Sequence, residues 1–234
     1  MKLSIVIPLF DEVNTIAEII DRILAVDYGF EEREIVVVDD CSADGSWEIV
    51  KDKAALLKEI RAVRLEKHTG KGAALRKGFS LAEGEVIVVQ DADLEYDPRD
   101  IPGLVSLVKE GKADVVYGSR FIGGGPHRVL FFWHSLGNRF LTLVSNMLTD
   151  LNLTDIEVCY KAFRREALEK ITLVENGFGF EAEFTIKVSR NNWRIYEVPI
   201  SYHGRSYAEG KKVNWKDGLK ALYCLFKYRF LSDR

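Results

Sequence analysis

Glu85-Val86-Ile87-Val88-Val89-Gln90-Asp91-Ala92-Asp93-Leu94-Glu95 sets four consecutive Val/Ile residues just ahead of three acids. An apolar run without polar alternation is the pattern of a strand covered on both faces. Further strand-like runs lie at Leu3–Pro8, Glu34–Asp39, Arg61–Glu66 and Asp114–Ser119, most of them likewise without alternation. Helix-like stretches near 14–26, 44–59, 71–83 and 98–110 separate these runs, with Asn14 and Asp44 as expected N-caps and Pro98 opening its helix. Alternating strands and helices predict an α/β fold, a doubly wound, mixed but mostly parallel sheet flanked by helices. Ligands of such sheets sit beyond the carboxyl ends of the strands.

The residues at those ends form a consistent set. Pro8-Leu9-Phe10-Asp11-Glu12 follows the first strand, and Asp39-Asp40-Cys41-Ser42-Ala43-Asp44-Gly45-Ser46 the second. His68-Thr69-Gly70-Lys71-Gly72 follows the third, and the fifth ends in Gly118-Ser119-Arg120. Asp91 and Asp93 flank one small residue, so their charges repel unless a cation lies between them. A hard divalent ion meets that need with oxygen ligands, and Glu95 is a third candidate. An acid at Asp39 or Asp40 suits a base or a ribose hydroxyl, and Gly70-Lys71-Gly72 lets backbone and a cation approach a phosphate. Neither G-x-G-x-x-G after the first strand nor a P-loop is present, which excludes the nicotinamide and P-loop readings.

The second half has a different texture. Residues 121–128 are glycine-rich and read as a mobile loop. Residues 129–149 predict an amphipathic helix, with Phe132, Leu136, Phe140, Leu143 and Met147 on one face and His134, Asn138, Thr142 and Asn146 nearer the other. Strands near 158–164 and 195–199, a helix near 179–191 and a last helix from Trp215 to Phe230 complete the chain.

Of 234 residues, 47% are hydrophobic and 29% charged, an ordinary globular mix, and the net charge of −3 argues against a nucleic-acid binder. Residues 201–234 hold eight basic and three acidic side chains, a net +5 that leaves −8 on the rest. A basic, partly apolar tail is either a solvated helix or a surface for phosphates and anionic headgroups. Cys41, Cys159 and Cys224 are too scattered for a zinc site and fit a reducing compartment. No apolar run reaches the ~18 residues of a membrane span, so the expectation is a cytoplasmic protein, peripheral on the cytoplasmic face of a membrane.

Together the motifs resemble family 2 glycosyltransferases. They are Ser4-Ile5-Val6-Ile7-Pro8-Leu9-Phe10-Asp11-Glu12, V-V-D-D-x-S-x-D-G-S at 37–46, G-K-G-A-A-L at 70–75, D-A-D-L at 91–94 and G-S-R at 118–120. Asn152-Leu153-Thr154-Asp155, Gly179-Phe180-Glu181, Glu197-Val198-Pro199-Ile200 and the stretch Gly204 to Lys212 are similar to the polyprenyl-phosphate branch, the dolichyl-phosphate mannose and glucose synthases. The resemblance covers the whole chain. It implies one GT-A domain over 1–234, residues 1–120 binding the nucleotide sugar and 121–234 the acceptor. It also implies inverting transfer of a hexose from a UDP- or GDP-sugar to a polyprenyl phosphate with Mg²⁺ or Mn²⁺. Pro8, Phe10, Glu12, Asp39 and Lys71, with Gln90, Asp91, Ala92 and Asp93, fall where the family holds the nucleotide. Asp91, Asp93 and Glu95 fall on its metal motif, where Glu95 stands in a position that is often Gln in mannose synthases. Arg120, Arg205 and Lys211 match its phosphate-holding cations, and Arg128 or Arg139 joins them as a further candidate.

A polyprenyl phosphate is largely dianionic at neutral pH and attacks without a general base. Guanidinium groups suit the task of holding it beside a second phosphorylated substrate. The lipid also gives the 129–149 helix a role, one face in the bilayer interface and the other over the site, with room for a membrane-protein partner. Two rivals remain open. A relative acting on a sugar hydroxyl needs a base, for which Asp155 or Glu157 is the candidate and Glu181 and Glu183 are ambiguous. A non-catalytic nucleotide-sugar-binding subunit keeps the fold without turnover.

Overall fold

A computed structural model describes residues 1–123, 128–129, 131–206, 209–212 and 214–231. Most of the glycine-rich loop (Gly124, Gly125, Pro126) and Tyr207, Ala208, Asp233 and Arg234 lie outside the described residues. Seven strands form one sheet: β1 (Lys2–Leu9), β2 (Glu32–Asp39), β3 (Ile60–Arg64), β4 (Val86–Val89), β5 (Val115–Ser119), β6 (Lys161–Arg164) and β7 (Ile195–Pro199). Their order is β3-β2-β1-β4-β6-β5-β7. All neighbours pair in parallel except β6, which runs antiparallel to both β4 and β5. The sheet is therefore mixed and mostly parallel, as expected.

Helices α1 (Ile16–Leu24), α2 (Ser46–Leu56), α3 (Lys71–Leu81) and α4 (Ile101–Lys109) connect the first five strands. The Val/Ile runs of β1, β2 and β4 are buried throughout, which is why they carry no alternation. Pro98 opens a 3-10 turn, Pro98–Asp100, that leads into α4. Two expected caps lie one residue later in the chain. Thr15, not Asn14, precedes α1, and Gly45 in a left-handed conformation (φ 98°) precedes α2. Asp44 still serves α2, because its Oδ1 accepts from the Ser46 amide at 2.9 Å, while Oδ2 accepts from the Val13 amide at 2.8 Å and ties the β1 and β2 ends together.

The later helices are α5 (Phe132–Thr149), α6 (Arg165–Glu169), α7 (Phe180–Ser189) and α8 (Trp215–Phe226), the last continued by a π-helical turn, Lys227–Leu231. The strand expected near 158–164 is shorter, and the short α6 that follows it is an addition to the expected elements. In α5 the polar face points inward: Asn138 donates to Asp155, Thr142 accepts from the Ile156 amide, and Asn146 both donates to and accepts from the Leu153 backbone. Its apolar stripe of Phe132, Trp133, Leu136, Phe140, Leu143 and Met147 points out, Trp133 being 76% and Met147 78% exposed. Helix α8 packs against α5 and likewise exposes Trp215, Leu219, Tyr223 and Phe226.

Chain order places β4 on the opposite side of β1 from β2 and β3. The carboxyl ends of β1 and β4 thus flank the point where the winding reverses, the usual ligand crevice of an open α/β sheet. Strain collects there too. Asp11 (φ 46°), Cys41 (φ 65°) and Leu94 (φ 61°) are left-handed residues other than glycine, each just past a strand end.

Candidate active site

A cleft of about 950 Å³ opens at this switch point and continues between α5 and α8. Pro8, Phe10 and Glu12 line it from β1, Asp91, Ala92, Asp93 and Glu95 from β4, and Arg120 from β5. Lys71, Arg205 and Lys211, also expected at the site, line it as well. Thus residues from both halves of the chain meet in one space.

Charge is arranged in specific pairs. Lys71 Nζ lies 3.0 Å from Asp91 Oδ1 and 3.3 Å from Glu181 Oε1. Arg205 donates to Asp93 at 2.8 Å and forks onto Glu12 at 3.0 and 3.1 Å. Arg120 holds Asp155 by two parallel bonds of 2.6 and 2.7 Å, and its guanidinium sits 5.1 Å from the Tyr202 ring centre. Burial, followed by the charges of Asp91 and Glu95, pushes the Asp93 carboxyl up to about 7. Burial also lowers the Lys211 ammonium.

Asp91 and Asp93 have the donor chemistry of a hard cation site: adjacent carboxylates in a desolvated crevice that demands positive charge. Glu95 lies near Asp93, with the Arg205 guanidinium 3.4 Å from its carboxylate and 2.8 Å from that of Asp93, but it is engaged in other bonds as well. Its carboxylate accepts from the Tyr202 hydroxyl at 2.9 Å and the Arg205 amide at 2.8 Å, fixing the segment after β7. Among the described residues, no three His, Cys, Asp or Glu side chains converge into a metal cage. The fit to Mg²⁺ or Mn²⁺ therefore rests on two aspartates, with the remaining positions suited to phosphate and water oxygens.

Several expected residues take other places. Asp39 is buried outside the cleft lining, accepting from the Ser42 amide and paired with Arg64 at 3.1 Å. Its neighbour Asp40 lines the cleft and accepts from the Thr69 and Gly70 amides at 2.8 and 2.7 Å. Gln90 is buried behind the site, donating to the Asp91 carbonyl and accepting from Tyr160. Arg128 is paired with Glu209 at 2.9 Å, and Arg139 is exposed, 5.6 Å from the Phe121 ring centre; neither lines the cleft.

The glycines around Lys71 also have a different reason from the one expected. A Cβ on Gly70 would stand 2.5 Å from the Asn176 carbonyl oxygen, and one on Gly72 2.3 Å from that of Glu175. They admit the 175–177 backbone, and Gly70 adopts φ 115°. Residues that sequence reasoning misses include Lys212, which donates to Glu12 at 2.8 Å, and His68, whose ring stacks on Phe10 with centres 4.0 Å apart. The basic pair Lys211-Lys212 is visible in the sequence, but nothing in it says which lysine reaches Glu12.

A mostly parallel sheet with acids at its switch point, faced by cations from the second half, defines a GT-A sugar-transferase architecture. The glycosyl transferase family 2 profile matches residues 4–172, and the chain belongs to that family. It is 31% identical to a dolichol-phosphate mannosyltransferase of Pyrococcus furiosus, over 100% of this chain and 66% of that protein. It is also 31% identical to an undecaprenyl-phosphate mannosyltransferase of Micrococcus luteus, over 90% of this chain and 87% of the relative. Among solved structures, glucosyl-3-phosphoglycerate synthase from Mycobacterium tuberculosis, crystallised with Mn²⁺, UDP and phosphoglyceric acid, superposes with a TM-score of 0.76. That likeness covers 99% of this chain and 80% of the other at 19% identity, and it speaks to the fold. The protein is a glycosyltransferase.

Proposed function

We propose that the protein transfers a hexose, with inversion, from a UDP- or GDP-sugar to a polyprenyl phosphate. Residues 1–120 furnish the donor side and residues 121–234 the acceptor side. The observation that carries this reading is the reach of Arg205, from the second half, onto Asp93 and Glu12 of the first. A cation ring of Lys71, Arg120, Arg205, Lys211 and Lys212 around two strand-end aspartates suits two phosphorylated substrates at once.

Asp91 and Asp93 would hold Mg²⁺ or Mn²⁺, which when bound neutralises the charge developing on the departing diphosphate. Lys71, beside Asp91, adds a second positive charge on the donor side. Arg120 and Arg205, with Lys211, orient the acceptor phosphate so that one of its oxygens faces the anomeric carbon. That oxygen is already ionised, so no side chain removes a proton. Asp155 is consistent with this: both of its oxygens accept from Arg120, and it is fully buried. Its role is to hold Arg120 in place.

Among the described residues no helix is long and apolar enough to cross a membrane. The outward apolar faces of α5 and α8, with Lys216 and Lys220 beside the latter, suit the interface of an anionic bilayer, on its cytoplasmic face. The cleft between the two helices gives a prenyl chain an apolar path to the cations.

The test is nucleoside diphosphate release by purified protein given UDP-glucose or GDP-mannose, Mn²⁺ and undecaprenyl phosphate in detergent, with the glycolipid identified by mass. The expected product is a lipid phosphate bearing one hexose. Transfer to a sugar hydroxyl, with none to the lipid phosphate, would overturn the reading.

A further inference from the structure

The cleft has a second chemical character on its floor. Glu157, in the segment between α5 and β6, and Glu181, in the first turn of α7, both line it. Glu181 is 3% exposed, and its Oε1 meets Lys71, but its Oε2 is buried without a hydrogen-bond partner. Glu157 Oε1 is likewise buried and unpartnered. Each such atom is a net cost to folding, and an apolar residue would avoid it. Two orphaned acceptors, on two separate elements and in one cavity, are what a ligand rich in hydroxyl donors requires. Glu181 is paired with Lys71, so this acidic corner adjoins the cation ring where the donor phosphates are expected.

We propose that Glu157, with Glu181 beside it, forms the hydroxyl-recognition floor for the donor hexose, and that Glu157 sets which sugar is accepted. This rests on the reading of the protein as a nucleotide-sugar transferase. Burial, and after it the charge of Glu181, pushes the Glu157 carboxyl up to about 8, while Lys161 and Arg120 act in the opposite sense and Asp155 in the same one. A carboxyl raised in this way gains donor character beside its acceptor oxygen, which suits a hydroxyl. A site built to bond a hydroxyl rejects an analogue without it far more strongly than an apolar pocket rejects a misfit, because its own polar groups are then left unpaired.

The experiment is calorimetric titration of full-length wild type, Glu157→Leu and Glu157→Gln with UDP, UDP-glucose, GDP and GDP-mannose, then with singly deoxygenated forms of the preferred sugar nucleotide. The expected result is that Glu157→Leu weakens the sugar nucleotide by about 10- to 100-fold and leaves the nucleoside diphosphate within about twofold. One deoxy-sugar should show the same loss on wild type and no further loss on Glu157→Leu. Glu157→Gln, which keeps a donor and an acceptor, should retain most of the affinity and answers the case in which the leucine variant does not fold. Equal weakening of nucleotide and sugar nucleotide, unchanged sugar binding, or losses that multiply would each overturn the inference alone. A wild type that binds neither a UDP-linked nor a GDP-linked hexose would overturn the proposed function and this inference together.

Discussion

Arg205 and Asp93 stand 112 residues apart in sequence, yet the guanidinium donates to the Asp93 carboxylate at 2.8 Å. The same guanidinium reaches Glu12 at 3.0 Å, so one side chain from the second half neutralises acids at the ends of both β1 and β4. An organic cation therefore sits against one of the two aspartates assigned to the metal ion. On the proposed function, substrate binding would redistribute this charge, with Arg205 moving onto phosphate.

Competition follows from that contact. Arg205→Ala should bind Mn²⁺ alone more tightly by about tenfold, the worth of one ion pair near 1.4 kcal/mol. The same variant should lose about 10²- to 10³-fold in kcat/KM, the usual loss for one charge-stabilising group. Paired metal titrations and kinetics check both directions; weaker Mn²⁺ binding would contradict the competition.

Asp155→Asn distinguishes holding from proton abstraction. Leaving Arg120 buried without its counter-charge should cost about 3 kcal/mol of stability and raise the KM for lipid phosphate. The pH profile of kcat should keep its shape, because no base has been removed. Loss of the acidic limb of that profile would return Asp155 to the role of base.

Acid stability has a traceable contribution far from the cleft. Arg194 holds the Asp114 carboxyl below its usual range by a fork of 3.0 and 2.7 Å bonds, and the Arg194 amide adds another at 2.9 Å. A carboxyl depressed on folding stabilises above its unfolded pKa of about 3.9, and the gain fades as pH falls through the folded value. Arg194 is half exposed, so solvent screening limits the pair to about 1 kcal/mol. Urea titrations should show Asp114→Asn less stable by that amount at neutral pH, with the gap closing as pH falls below the ordinary carboxylate range. A gap that stays constant would contradict the assignment.

The outward face of α5 and the end of the chain should govern lipid contact. Leu143, Met147 and Phe230 are exposed and lie outside the cleft lining. Replacing all three with Ser should reduce sedimentation with phosphatidylglycerol–phosphatidylcholine vesicles by at least about tenfold, since each buried side chain of this size is worth ~1.5–3 kcal/mol. Unchanged partitioning would remove these faces from the membrane reading.

Much of the architecture is legible in the sequence, and the exceptions have physical causes. Unbroken β-branched runs announce buried strands: Ile35, Val36, Val37 and Val38 pair with β1 and β3 without alternation because both faces are covered. Strand direction is not written in such runs, so the antiparallel insertion of Lys161–Arg164 between β4 and β5 cannot be read from them. Adjacent residues of a strand point to opposite sides, which is why Asp40 faces the cleft where the motif points to Asp39. The Gly70-Lys71-Gly72 motif is plain in the sequence, but its reason lies in the 175–177 backbone a hundred residues away. Orphaned oxygens such as Glu157 Oε1 are properties of the packed molecule, and no local pattern marks them.

On the proposed function, Asp91 and Asp93 hold the ion that assists the departing diphosphate. The most direct test is the rate of glycolipid formation by wild type before and after chelation, and by the Asp91→Asn/Asp93→Asn variant. A fall of about 10³-fold or more is expected in both cases, reversed by Mn²⁺ for the wild type alone. Undiminished transfer by the chelated enzyme or by the double variant would contradict it.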